Sequence, residues 1–374
     1  MPKLLHTADW QIGRQYGRFS PEDAAVLAEA RFSAVERIAA LAAREQVDAV
    51  LVAGDVFDAQ TVSDRTIRRL FNALQGYAGP WIMIPGNHDA ALAESVWRRS
   101  ERLAAIPSNA HIILEPAVKS FPELGFAVLA APLTQRQTHN DLTAWFDTAE
   151  TPAGLFRVGL AHGSVQGILA EDIDSPNPIA ADRVERARLD YLALGDWHGL
   201  KSINDRAWYS GTPELERFKG NNGGHVLIIE LSDTGEMPNI APHSITQYEW
   251  TSWHETLAIE SDLDALIQRL EQLPANTVLD LTLSGQIDLS GEQRLQQALS
   301  VIQGRCRSVQ CHQADLHLMP TEQDIVALHA DGYLGEVIAE LQERQQSSAP
   351  EVARDALAIL ARLLRDRQAP ETQA

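Results

Sequence analysis

Short apolar runs that stop abruptly at polar, chemically reactive residues recur along the first ~200 residues of the chain. The clearest is Ala49–Ala53, which is apolar throughout and ends at Gly54-Asp55. Such a run is typical of a strand covered on both faces. Between the runs, amphipathic stretches over about 21–44 and 62–75 predict helices. Because ligands bind at the carboxyl ends of strands in open α/β sheets, the pattern predicts a site at that edge.

Five of these strand ends carry residue types that bind divalent metal ions or transfer protons. They are Asp9-Trp10-Gln11, Gly54-Asp55-Val56-Phe57-Asp58, Gly86-Asn87-His88-Asp89, Ala161-His162-Gly163 and Gly195-Asp196-Trp197-His198. Carboxylate and amide oxygens with imidazole nitrogens suit a pair of divalent ions that clamps a phosphate. We therefore expect these segments to converge on one metal centre.

In this order, the five segments resemble the motif set of the calcineurin-like metallophosphoesterases. Residues 4–9 and 209–214 further resemble the branch of SbcD-like DNA repair exonucleases. The resemblance covers roughly 1–232 and implies an α/β fold, a four-layer αββα metallophosphoesterase sandwich. It also implies two divalent ions, with Mn²⁺ expected and Mg²⁺ or Fe²⁺ as alternatives. The implied activity is exonucleolytic or endonucleolytic hydrolysis of phosphodiester bonds in DNA.

The resemblance also implies roles for individual residues. His88 matches the catalytic histidine of the family, which contacts the phosphate and protonates the leaving oxygen. Either Asp58 or Asp89 would orient its ring, and Asp55 would bridge the two ions. The positions that match metal ligands are Asp9, Gln11, Asp55, Asn87, His162, Asp196 and His198.

Two of these positions depart from the family pattern. Asp196 stands where the family usually has a second-metal histidine, and Gln11 where it usually has a first-metal histidine. The extra carboxylate lowers the positive charge of a loaded site and favours harder ions. Glutamine is a weak neutral donor that would hold a water molecule instead, or be an ordinary solvated side chain. We expect a competent site, with a weakened one as the alternative.

Several other residues have simpler interpretations. Asp58 would serve as a helix N-cap, and Trp10 would pack in the core more readily than stack on a base. The arginine-rich stretches 65–69 and 98–102 could meet DNA phosphates, although solvated helix faces are the preferred interpretation. The remaining histidines, His6 among them, show no ligand spacing and are expected to be structural or superficial.

The sequence pattern changes after about residue 245. With 374 residues the chain exceeds what one core usually serves. We assign 1–245 to the metallophosphoesterase (nuclease) domain, 246–320 to a small α+β capping domain and 321–374 to a C-terminal helical region. In nuclease subunits of the resembled branch, such helices dock on an SMC-like (SbcC-like) ATPase, so 321–368 is the expected contact. Packing on its own domain is the alternative.

Composition limits the classes of function. A net charge of −20 is awkward for a DNA-binding protein, because affinity for DNA comes largely from Lys and Arg. Any DNA contact must therefore be local or shared with a partner.

Neither a secretory signal nor an apolar run of about 18 residues is evident, so a cytoplasmic protein without membrane contact is expected. A small-molecule phosphodiesterase or phosphatase and a non-catalytic subunit remain alternatives, and dimerisation stays open.

Overall fold

The computed structural model describes residues 1–167, 176–218, 220, 222–327, 333–345 and 350–368. The chain forms two compact units, Met1–Gln247 and Tyr248–Ala374. Within the described residues, no helix combines the length and the apolar character needed to cross a membrane.

The first unit contains two six-stranded sheets and the helices that flank them. Its strands are β1 (Lys3–Thr7), β2 (Ala49–Ala53), β3 (Trp81–Ile84), β4 (Ala110–Ile112), β5 (Ala117–Phe121), β6 (Phe126–Ala131), β7 (Phe156–His162), β8 (Ser164–Val165), β9 (Pro178–Ile179), β10 (Tyr191–Gly195), β11 (Lys201–Ser202), β12 (Ala207–Tyr209), β13 (His225–Glu230) and β14 (Asn239–Ser244). Its helices are α1 (Pro21–Arg44), α2 (Asp64–Ala73), α3 (Val96–Arg102) and α4 (Arg183–Arg186).

The two sheets pack face to face. Their strand orders are β14-β13-β1-β2-β3-β4 and β11-β12-β10-β7-β6-β5. Leu51 and Ile82 of the first sheet share one buried core with Val128 and Leu160 of the second. Helices α1 and α2 cover the outer face of the first sheet, and α4 packs on the outer face of the second. The predicted four-layer αββα sandwich is therefore confirmed.

Parallel pairing brings the reactive segments to one edge of the sandwich. Strands β1, β2 and β3 run parallel to one another, as do β6, β7 and β10. At this edge two histidines connect the sheets. The ring of His6 in β1 lies 3.1 Å from the Leu194 carbonyl oxygen in β10, and His162 in β7 lies 2.8 Å from the Ala53 carbonyl oxygen in β2. The carboxyl ends of the central strands are thus fixed relative to one another.

The second unit alternates strands and helices. Strands β15 (Glu249–Leu257), β16 (Thr277–Ile287) and β17 (Ser308–Leu318) form a parallel sheet in that order. Between them lie α5 (Glu260–Glu271) and α6 (Leu289–Arg305), whose leucines pack on Leu281 of β16. The small mixed unit expected after residue 245 is thus specifically a β-α-β-α-β arrangement. Its all-parallel strands are joined through helices, because parallel neighbours need crossover connections.

The tail is helical where the structure describes it. Helices α7 (Glu322–Ala327), α8 (Tyr333–Arg344) and α9 (Pro350–Gln368) follow β17. The parts of the predicted docking region at 328–332 and 346–349 lie outside the described residues.

Candidate active site

Three of the predicted ligands form a compact buried group at the edge where the strands end. Asp9 follows β1, Asp55 follows β2, and His162 ends β7. One ligand atom from each lies within 4.8 Å of the other two, and all three residues are buried. Asp55 and His162 come from different sheets, so the sandwich itself creates the group.

His162 connects this group to two further predicted ligands. Its Nε2 lies 2.9 Å from Asn87 Oδ1, 3.6 Å from Asp55 Oδ1 and 3.7 Å from Asp196 Oδ1. Its Nδ1 is 2.8 Å from the carbonyl oxygen of Ala53 and donates its proton there. That bond leaves the lone pair of Nε2 for a metal ion, the arrangement found in most metal-binding histidines.

Asp196 also contacts Asp9, and the two remaining predicted ligands, Gln11 and His198, lie next to each other. The backbone N–H of Asp196 donates to Asp9 Oδ1 over 3.1 Å. His198 Nε2 lies 3.2 Å from Gln11 Nε2. The amide oxygen of Gln11 accepts a hydrogen bond from Arg14 and is therefore held by a guanidinium group. Gln11 thus lies at the site, but its amide oxygen, the atom better suited to bind a metal ion, already accepts the hydrogen bond from Arg14.

Backbone strain is concentrated in this group. Four predicted ligands lie in the left-handed region, with φ of 54° at Asp9, 45° at Gln11, 51° at Asp55 and 102° at Asp196. Non-glycine residues adopt such angles at a cost that the surrounding structure must offset, and they cluster at functional sites. Here the four residues lie in the turns that follow β1, β2 and β10.

His88 lies beside the group with one ring nitrogen directed toward it. Its Nε2 is 3.9 Å from Asp55 Oδ2, and its backbone N–H donates to Asp55 Oδ1 over 2.9 Å. Its Nδ1 lies 2.8 Å from the backbone carbonyl oxygen of Asp58. The carboxylate of Asp58 instead lies 3.4 Å from Arg14 Nη1. Asp58 therefore orients the ring through its main chain and not through its side chain.

The alternative that Asp58 caps a helix is wrong. Helix α2 begins at Asp64, and the side chain of Ser63 accepts the hydrogen bond from Thr66 N. Asp58 lies five residues before this N-cap. Its backbone carbonyl oxygen instead contacts the ring of His88.

Asp89 joins the two loops that carry Asp55 and Asn87. Its carboxylate accepts hydrogen bonds from the backbone N–H groups of Val56 (2.9 Å), Phe57 (3.1 Å) and Gly86 (2.7 Å). Burial, with a smaller contribution from the charge of Asp55, raises the pKa of Asp89 to about 7. Asp89 thus fixes both loops and does not contact the His88 ring through any described hydrogen bond.

The electrostatics of the group fit a bound cation. Burial raises the pKa of Asp9 to about 6 and also raises that of Asp196. Burial alone would lower the pKa of His162, but the charges of Asp55, Asp9 and Asp196 raise it to about 9. Without a cation, His162 therefore carries a proton on both ring nitrogens at neutral pH. Oxygen and imidazole donors that surround a buried negative field suit divalent ions.

A buried carboxylate behind His198 is not evident from the sequence. Glu216 Oε1 lies 2.5 Å from His198 Nδ1, and Glu216 Oε2 lies 2.7 Å from Nη2 of the buried Arg31. Burial would raise the pKa of Glu216, but the hydrogen bond with His198 and the charge of Arg31 hold it well below its usual range. The only sequence signal for Glu216 is its position after the turn at 209–214, and Arg31 has none.

Glycine is required at two close approaches beside this group. A Cβ atom at Gly195 would lie 1.9 Å from the carbonyl oxygen of Ala53 in the opposite sheet. A Cβ at Gly86 would lie 2.2 Å from Asp55 Oδ1. Both contacts are far shorter than any real Cβ contact, so side chains at these positions would displace the metal-binding group.

The other candidate residues have structural roles. Trp10 is buried, meets Trp81 edge to face at 5.9 Å and donates to Thr7 Oγ1, so it packs in the core. Four of the six arginines in the two arginine-rich stretches form ion pairs. Ion pairs join Arg69 to Glu29, Arg98 to Glu101, Arg99 to Asp64 and Arg102 to Glu94. Arg65 and Arg68 on α2 are exposed and lie outside these pairs.

Comparison with known proteins identifies the family of the chain. The family described as calcineurin-like phosphoesterase matches residues 2–229. The chain is 27% identical to the uncharacterized metallophosphoesterase YhaO of Bacillus subtilis over 251 residues, which cover 62% of this chain and 58% of YhaO. It is 44% identical to a subunit of the nuclease SbcCD of Rhodobacter capsulatus over 94 residues, which cover 24% of this chain and 22% of that protein.

A third relative is the DNA double-strand break repair protein Mre11 of Aeropyrum pernix. It is 34% identical over 264 residues, which cover 64% of this chain and 60% of Mre11. The matched stretch is less than two thirds of the length of each of these three relatives. Relatives with these names support the predicted resemblance to the DNA repair nuclease branch. With the family match extending over residues 2–229, the chain belongs to the calcineurin-like phosphoesterases.

Proposed function

We propose that the chain is a metal-dependent DNA nuclease subunit that hydrolyses phosphodiester bonds with two divalent ions, Mn²⁺ being the expected metal. The observation that carries this proposal is the convergence of Asp9, Asp55 and His162 within 4.8 Å, beside the ring of His88. Relatives named as a nuclease and as a double-strand break repair protein support DNA as the substrate. A cytoplasmic location is part of the same proposal.

The geometry suggests how the ligands divide between two ions. Asp9 and His198 would hold the first ion, Asn87 and His162 the second, and Asp55 would lie between them. Asp196 would add an oxygen on the side of His162, from which its Oδ1 is 3.7 Å away. When bound, the ions would supply positive charge to a phosphate and acidify a water molecule.

His88 would supply the proton for the leaving oxygen. The Asp58 carbonyl oxygen accepts the Nδ1 proton, so the ring exchanges protons through Nε2, the atom directed toward Asp55. A positioned imidazole of this kind contributes about 10²–10⁴-fold to rate. Asp58 would orient the ring of His88 through its backbone carbonyl oxygen. Asp89 would hold the loops that carry Asp55 and Asn87 in place.

DNA cleavage in the presence of Mn²⁺ tests the proposal. We expect full-length protein to degrade DNA, a chelator to abolish the reaction, and Asp55→Asn and His88→Ala each to lower the rate at least a hundredfold. The exposed Asp205→Asn is the matched control and should cleave at the wild-type rate. Unchanged cleavage in Asp55→Asn would exclude the proposed centre.

A small-molecule phosphodiesterase is the second candidate. The net charge of −20 and the pairing of the surface arginines favour it. Hydrolysis of bis(p-nitrophenyl) phosphate by protein that neither binds nor cleaves DNA at physiological salt would establish this function instead. Absence of both activities and of tight Mn²⁺ binding would indicate a non-catalytic subunit.

The tail offers a surface for the proposed ATPase partner. On α9, Ala353, Leu357 and Ala361 are buried, whereas Ile359 and Leu363 are 60% and 62% exposed. An exposed apolar stripe opposite a packed one suits docking on another helix. We propose that it binds an SMC-like ATPase. Ile359→Lys with Leu363→Lys should abolish co-purification with such a subunit, whereas Val301→Lys, at an exposed apolar position on α6, should not.

A further inference from the structure

We propose that Arg14 and Arg217 form a phosphate subsite beside the metal centre, which binds a phosphate group next to the scissile bond of a nucleic-acid strand. The subsite rests on the proposed function and specifies its substrate. A substrate that carries a single phosphodiester and no flanking phosphate would leave the subsite empty.

The subsite is built on one buried carboxylate. Glu216 is 4% exposed and contacts three guanidinium groups, at 2.7 Å from Arg31, 3.2 Å from Arg14 and 2.7 Å from Arg217. The side chain of Arg31 is 1% exposed, so this pair anchors Glu216 inside the first unit. The side chains of Arg14 and Arg217 are 31% and 45% exposed and therefore face solvent.

The charges in this cluster do not cancel. Glu216 provides one negative charge against three arginines, and Asp58, 3.4 Å from Arg14, provides a second. His198 shares the same carboxylate through its Nδ1. The excess positive charge resides on the two arginines that solvent can reach. This contrasts with α3, where Arg98, Arg99 and Arg102 are each paired with an acid.

The cluster contacts residues next to the proposed first-metal ligand His198 and next to His88. Arg14 donates to the amide oxygen of Gln11, whose Nε2 lies 3.2 Å from His198 Nε2. Arg14 also contacts the carboxylate of Asp58, whose carbonyl oxygen holds His88. A phosphate bound to Arg14 would therefore be separated by one residue, Gln11, from His198, the proposed first-metal ligand. It would also be separated by one residue, Asp58, from the proposed proton donor His88. Gln11, at a position where the family usually has histidine, is thus a positioning residue for Arg14.

The chemistry of the cluster selects phosphate. Guanidinium groups bind phosphate oxygens in a planar, two-pronged geometry and remain charged at any physiological pH. Two of them held on one rigid carboxylate are already ordered before the ligand arrives, which lowers the entropy cost of binding. In a chain with a net charge of −20, a local contact of this kind is what a nucleic-acid substrate requires.

Three dithymidine substrates test the subsite on full-length protein with Mn²⁺. One carries no terminal phosphate, one a 5′-phosphate and one a 3′-phosphate. We expect kcat/KM for one phosphorylated form to exceed that for the unphosphorylated form by about tenfold or more, as for a charge-assisted hydrogen bond. In Arg14→Gln and in Arg217→Gln this ratio should fall toward one. Because the ratio compares two substrates on one protein, a general loss of activity does not alter it.

Salt dependence and a matched control complete the test. Arg14→Gln should reduce the slope of log(kcat/KM) for single-stranded DNA against log salt concentration by about 0.7, the loss of one phosphate contact. Arg68→Gln, an exposed arginine on α2, should keep both the ratio and the slope of the wild type. Equal kcat/KM on all three dinucleotides, or an unchanged slope in Arg14→Gln, overturns the subsite alone. Failure of the wild type to cleave any nucleic acid overturns the proposed function and the subsite with it.

Discussion

Individual side chains at this site owe their roles to contacts between distant parts of the sequence. Asp9, Asp55 and His162 are predictable because each directly follows or ends an apolar run. Glu216 is not, because its partner Arg31 is 185 residues away and no local pattern links them. Likewise the sequence indicates Asp58 near His88, but only the structure shows that the carbonyl oxygen is the atom involved.

The proposed proton-donor role of His88 predicts a dependence on the leaving group. His88→Gln should lower kcat by about 10²–10⁴-fold on a substrate with a poor, alkoxide leaving group. The loss should be clearly smaller on bis(p-nitrophenyl) phosphate, whose leaving group needs little protonation. Steady-state kinetics on both substrates provide the measurement, with Mn²⁺ binding by calorimetry as the control. An equal loss on both substrates would speak against proton donation.

His6 makes stability depend on pH. Burial, partly opposed by the hydrogen bond to Leu194, lowers the pKa of His6 to about 3. The unfolded chain, with a pKa near 6.5, binds more protons than the folded one between these values. Stability that is present above pH 6.5 is therefore lost as pH falls toward 3, at up to about 1.4 kcal/mol per pH unit.

Replacing His6 should remove this contribution. Urea unfolding with EDTA at pH 7.5 and pH 5.5 should show a loss of stability on acidification that is about 1 kcal/mol smaller in His6→Asn than in the wild type. Comparing the two proteins cancels the carboxylates common to both. Parallel pH dependence would show that His6 is not the titrating group.

At the scale of elements, the buried strands were the predictable part of the fold. β2 and β3 lie where continuous apolar runs indicated them. The edge strands β4, β5 and β14 are absent from the sequence prediction, because they are short or only half-buried and thus lack a continuous apolar run. The convergence of two sheets at one edge also depends on their packing, which no single element encodes.

Close approach of β2 and β10 makes Gly195 indispensable. Gly195→Ala would place a methyl group 1.9 Å from the Ala53 carbonyl oxygen and push the sheets apart at the site. We expect a destabilisation of about 1–3 kcal/mol, as for an overpacked core, and loss of Mn²⁺ binding. Denaturant unfolding and calorimetry measure the two effects. Gly17→Ala, where a Cβ meets open space, is the control, and a Gly195→Ala protein with normal stability would contradict the packing described.

For the whole molecule, the division into two units separates the proposed chemistry from the proposed partner surface. Every side chain assigned to the metal centre and to the phosphate subsite lies within Met1–Gln247. The exposed stripe with Ile359 and Leu363 lies in the second unit. The net charge of −20 would restrict the DNA contact of the proposed nuclease to the local cations near the site.

The two units should therefore be separable in function. A fragment of residues 1–247 is expected to keep the Mn²⁺ stoichiometry and the bis(p-nitrophenyl) phosphate activity of the full chain, and to lose ATPase binding. Calorimetry, kinetics and co-purification measure the three properties. Loss of metal binding in a fragment that remains folded by circular dichroism would show that the second unit contributes to the centre.

Counting the bound ions tests the central claim most directly. Mn²⁺ titration of full-length protein by calorimetry should give two ions per chain. In Asp55→Asn the count should fall to one or none, because Asp55 is the residue proposed to bind both ions, whereas Asp205→Asn should keep two. A wild type that binds no ion, or an Asp55→Asn protein that still binds two, would contradict the account.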